Sequence, residues 1–70
     1  MIEEIEVVLN GEPITEIDFI PRAGECISVM LEKSMGIQRY IVRHVEYAVY
    51  PKGGDGVMVC SASVNVEEIE

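Results

Sequence analysis

Apolar residues in this chain recur with a period of two, and turn residues interrupt them at short, regular intervals. Alternation of this kind belongs to strands with one buried face. No segment repeats apolar residues at the three-and-four spacing of a helix over the roughly 11 residues a helix assignment needs. In residues 2–9 (IEEIEVVL), Ile5, Val7 and Leu9 share a face opposite Glu4 and Glu6. Asn10-Gly11 follows, the strongest short hairpin signal, because a type I′ turn needs positive φ at both central residues. Residues 14–20 (ITEIDFI) read as a second strand with Ile17 and Phe19 inward, closed by Pro21 and Gly24. Residues 25–32 form a third, with Ile27, Val29 and Leu31 opposite Cys26, Ser28, Met30 and Glu32. Lys33-Ser34-Met35-Gly36 is the next turn.

The long run 37–50 (IQRYIVRHVEYAVY) changes phase along its length. Tyr40 and Val42 are even, whereas Val45, Tyr47 and Val49 are odd. One strand buries both sets on one side only if it carries an extra residue. A bulge or sharp bend is therefore expected near Arg43-His44. Pro51-Lys52-Gly53-Gly54-Asp55-Gly56 has the composition of an exposed loop tip. The last strand, 57–67, has Met58, Cys60, Ala62, Val64 and Val66 on its even face, and the small Cys60 and Ala62 point to a close approach by another strand. Five strands at this spacing predict an all-β domain, a small five-stranded barrel or a strongly bent antiparallel meander.

Seventy residues allow one domain, 1–70, with a modest core and little room for an enclosed reaction site. Thirteen acids against five bases give a net charge of −8. That balance argues against direct binding to nucleic acid or to an anionic membrane, both of which need clustered Lys and Arg. No apolar run approaches the roughly 20 residues of a membrane span. The N-terminus has neither a basic nor an apolar leader region, so a cytoplasmic location is expected. Two cysteines are too few for a secreted disulfide framework. A Cys26–Cys60 bridge is sterically open, and a pair of small buried thiols is the expected state in a reducing compartment.

The residues whose types suit chemistry are isolated in the sequence. His44 is the sole histidine, and no spacing ties it to Cys26 or Cys60 as a nucleophilic pair or a zinc site. Gly53-Gly54-Asp55-Gly56 lacks the Gly-Lys-Ser/Thr and the following helix of a phosphate loop. No enzymatic activity, cofactor or metal is expected. Charge is distributed more informatively: residues 1–18 carry −6, residues 19–56 carry +1 and residues 57–70 carry −3. Should the first and last strands adjoin, Glu3, Glu4, Glu6, Glu67, Glu68 and Glu70 would make one acidic face. Such a face either keeps a small protein soluble or recognises a basic partner. Arg39 and Arg43, four apart on one strand, are candidates for pairing with glutamates or for anchoring an interface, and Tyr47 and Tyr50 for contact or core filling.

Pro21-Arg22-Ala23-Gly24-Glu25-Cys26-Ile27, then Tyr40-Ile41-Val42-Arg43-His44-Val45, then the alternating strand Val57–Val66, resemble a small SH3-like barrel over most of the chain. Compact bacterial and phage-encoded proteins share this layout. The resemblance implies the fold. The peptide-docking sites of SH3-like families do not carry over, since they use a Trp that this chain lacks, and the basic loops of the RNA-binding members are absent too. The function expected is that of a small acidic protein-interaction or assembly module, one that meets a protein partner or a second copy of itself. The alternative is an acidic inhibitor or decoy that imitates nucleic acid on a basic protein surface.

Overall fold

The computed structural model describes residues 2–31, 36–54 and 56–69. They form five strands: β1 (Ile2–Leu9), β2 (Glu12–Glu16), β3 (Cys26–Leu31), β4 (Gly36–Pro51) and β5 (Met58–Ile69). There is no helix among the described residues, hence none long and apolar enough to cross a membrane. The strands make one sheet in the order β2-β1-β5-β4-β3, curled into a half-barrel. The all-β class and the strong bend are as the alternation predicts. The connectivity is not a pure meander, because β5 inserts between β1 and β4 and runs parallel to β1. Its even face is apolar for most of its length, and the central place buries that face best.

Local chemistry sets the turns and bends. Asn10 and Gly11 have φ of 51° and 83°, the pair of positive angles that the Asn-Gly hairpin requires. The phase change in β4 is taken up between Val42 and His44, leaving Arg43 as the extra residue of a bulge. Before it, Tyr40 and Val42 face the core; after it, Val45 does. Two further irregularities place Ile14 and Glu3 out of register in β2 and β1.

The core lines the concave face. Leu9, Val66 and Val42 form one row across the sheet, and Val7, Val64 and Val45 the next. Tyr40 closes the cluster, with Ile5, Ile17, Ile27 and Val29 packed around it. Val7, Val42 and Val64 are fully enclosed; burying a valine side chain of this kind stabilises by about 2 kcal/mol.

Several expectations are corrected. The second strand covers 12–16 rather than 14–20, since the chain bends at Asp18-Phe19. Phe19 is thereby 52% exposed, while Pro21 is buried. Met58 is exposed and its neighbour Val59 is buried instead. Cys26 is an exposed free thiol, and Cys60 a half-buried one. They stand opposite Ile41 and Val49 respectively, at separate levels of β4, so no bridge joins them. The turn at 33–35 lies outside the described residues.

Candidate interaction surface

β4 is much longer than the strand that flanks it. β3 accompanies it from Gly36 to Ile41, and Gly24 and Glu25 extend the pairing to Val42 through two backbone hydrogen bonds of 2.8 Å. Beyond that point no strand among the described residues lies on this side of β4, and only β5 supports it. The β4–β5 ribbon therefore projects from the packed end, in a molecule with extents of 46 × 26 × 19 Å. The concave face continues along the ribbon, and no other described strand covers it there. Ile2, Tyr47, Val49 and Met58 are 42%, 54%, 61% and 52% exposed on it. Ile5, Ala62 and Tyr47 form the boundary row, where Ala62 is enclosed.

The convex face of the same ribbon carries a polar clip. Lys52 Nζ pairs with Glu3 Oε1, and Tyr50 Oη donates to Glu3 Oε2 at 3.5 Å. Because β5 lies between β1 and β4, this clip crosses over β5 at the level of Val59, whose side chain is buried. The hydrogen bond from Lys52 holds the Glu3 carboxyl below its ordinary pKa, and the same bond holds the Lys52 ammonium above its own.

The candidate residues separate into distinct places. Tyr47 and Tyr50, three apart after the bulge, are on opposite faces, with Tyr47 over the bare concave floor and Tyr50 in the clip. Arg43 Nη2 donates to Glu67 Oε2 at 2.8 Å, a cross-strand pair in solvent. Arg39 stands opposite Ile69. β1 and β5 do adjoin, but in parallel. Glu4 and Glu6 sit beside Ser61 and Ser63, whereas Glu67 and Glu68 lie beyond Val66, which is level with the far end of β1. The glutamates of the two strands thus occupy opposite ends of the sheet; Glu70 lies outside the described residues. The acidic cluster that does form joins β1 to β2: Glu6 stands opposite Glu16. A hydrogen bond with Glu16 and the charge of Glu6 push the Glu4 carboxyl above its ordinary pKa.

His44 Nε2 lies 3.6 Å from Glu46 Oε1 in solvent, opposite Asn65. Among the described residues there is no group of three His, Cys, Asp or Glu side chains that could hold a metal, and no pocket. The exposed ribbon end is the feature that residue patterns alone passed over: Ile2, Val49 and Met58 alternate as core residues would. The signal for it was a mismatch in length, a long fourth strand beside a third too short to flank it. No protein family, curated protein or solved structure matches the chain.

Proposed function

We propose that the chain is a small, non-enzymatic protein-interaction or assembly module on an SH3-like scaffold, and that it works through the projecting β4–β5 ribbon. The observation that carries this reading is the bare concave floor of Ile2, Tyr47, Val49 and Met58, continuous with a packed core. A contiguous apolar surface bordered by polar groups is what protein contacts cover. Tyr47 adds an aromatic anchor of the type that dominates binding energy.

The test is a double variant, Tyr47→Ser with Val49→Ser, compared with the wild type for both self-association and capture of host proteins. Both side chains are more exposed than buried, so the fold is expected to persist, as the far-ultraviolet dichroism will show. Loss of the wild type's association supports the reading. If neither self-association nor capture changes in a folded variant, the ribbon is not the working surface.

A second reading, an acidic decoy for a basic protein surface, draws support from the Glu4, Glu6 and Glu16 cluster. Added salt distinguishes the two. Decoy binding collapses as charges are screened, whereas apolar association between acidic chains holds or strengthens.

A further inference from the structure

We infer that the free edge of β4, from Val45 to Val49, pairs with the same edge of a second copy of this chain, antiparallel about a two-fold axis at Tyr47. This deepens the interaction reading by naming the partner. The phase of the β4–β5 ladder carries the argument. Lys52 N donates to Val57 O at 3.0 Å, and the register then pairs Tyr50 with Val59, Ala48 with Ser61 and Glu46 with Ser63. In an antiparallel ladder the residues that exchange hydrogen bonds alternate with those that do not. Tyr50, Ala48 and Glu46 therefore bond to β5, and Val45, Tyr47 and Val49 turn both N–H and C=O outward. Among the described residues nothing meets those groups.

Three such residues at even spacing are self-complementary when run antiparallel. With Tyr47 on the axis, Tyr47 meets its own copy and Val45 meets Val49, so every outward donor faces an outward acceptor. The exposed Tyr47 then stands across from its own copy, and the exposed Val49 across from the half-buried Val45, on the concave floor. Off the concave face, Glu46 falls opposite Ala48 and His44 opposite Tyr50, with no like charges directly paired. Moving the axis to Glu46 would set Glu46 against its copy and bring the partner strand onto Gly24 and Glu25, which already occupy the edge at Val42.

Charge favours the same site. A chain of net charge −8 resists a second copy over most of its surface, yet residues 45–51 carry only Glu46. The acids are concentrated in β1, β2 and the end of β5, away from this edge. The other edges are less suited. β2 has Glu12, Pro13, Glu16 and a bulge, all devices that discourage pairing. β3 presents the small Cys26 and Ser28 outward with Met30, and its concave residues Ile27 and Val29 are already packed on the core. A closed two-fold pair also consumes the edge, so that it does not propagate into a filament.

The experiment measures mass by sedimentation equilibrium and amide exchange by NMR across a dilution series. The expected result is a dimer in which the Val45, Tyr47 and Val49 amides gain protection with concentration, while the Glu46 and Ala48 amides are protected throughout. Val49→Pro removes an outward N–H and leaves the β5 ladder intact, because proline is tolerated where the N–H faces away from the sheet. It should weaken the dimer by about a hundredfold or more, since the two-fold loses a bond at each of two symmetric places. Val49→Lys, with an unaltered backbone, should do the same, and Ser28→Pro on the β3 edge should leave the dimer unchanged. A strictly monomeric wild type, or a dimer dissolved by Ser28→Pro and not by Val49→Pro, overturns the inference. If the wild type is monomeric yet Tyr47→Ser with Val49→Ser abolishes capture of another protein, the second copy is excluded while the interaction reading stands.

Discussion

Single residues here matter chiefly by the face on which they land. Val64 is fully enclosed at the centre of the sheet, between Val7 and Val45. Val64→Ala is expected to cost about 2 kcal/mol, through lost transfer energy and a cavity that a small core lined by one curled sheet fills poorly, and urea unfolding will measure it. Gly11 holds a φ of 83° with nothing within 4 Å of an added Cβ, so Gly11→Ala meets backbone strain and no collision. Its cost should be about 1 kcal/mol. Glu4 behaves in the opposite way. Its pKa is raised in the fold by Glu16 and Glu6, so the folded state penalises the ionised form. The penalty is absent below the ordinary carboxylate pKa and complete above the raised one. Glu4→Gln should therefore raise the urea midpoint at neutral pH and leave it unchanged in acid.

At the scale of elements, the bulge at Arg43 is the device that lets one strand serve two halves of the core. Tyr40 and Val42 lie before it and Val45 after it, all on the concave side. Deleting Arg43 would put Tyr40 and Val42 out of phase with Val45 and turn one set to solvent. Substituting it removes only an exposed pair with Glu67. Deletion is thus expected to abolish cooperative unfolding, and Arg43→Ala to keep it with a near-normal midpoint. The Glu3–Lys52 clip ties the projecting ribbon to the N-terminal strand. Glu3 has a lowered pKa and Lys52 a raised one, so their stabilisation is present at neutral pH. It is lost as pH falls through the Glu3 value or rises through that of Lys52. Lys52→Met should show a lower midpoint than the wild type near neutrality, and the difference should vanish in strong acid.

For the whole molecule, a half-barrel of this size has an outlying ribbon that no other strand among the described residues covers. Charge is segregated along it, with acids on the β1–β2 side and at the end of β5 and a nearly neutral β4 edge. Association through that edge should respond to salt in a characteristic way. Screening lowers the repulsion between two copies of charge −8 and leaves backbone pairing and apolar contact in place. Sedimentation at low and high salt is expected to show tighter self-association at high salt.

How much of this was legible beforehand follows from the range of the interactions. Alternation marked the strands, Asn10-Gly11 the hairpin and the phase change the bulge, because each depends on residues adjacent in the chain. The charge pattern raises the pairing of the first and last strands and says nothing of its direction. Parallel alignment of β1 with β5 is what parts Glu4 and Glu6 from Glu67 and Glu68, and no local pattern encodes it. The placement of Tyr47 and Val49 was equally hidden. Their alternation is that of buried residues, and whether a second layer or strand covers them depends on how far β3 extends along β4. Local sterics and side-chain period were sufficient for the number and rough places of the strands, though not for the bounds of the second; only contacts between segments distant in the chain decided their order, their direction and which apolar surface stays open to a partner.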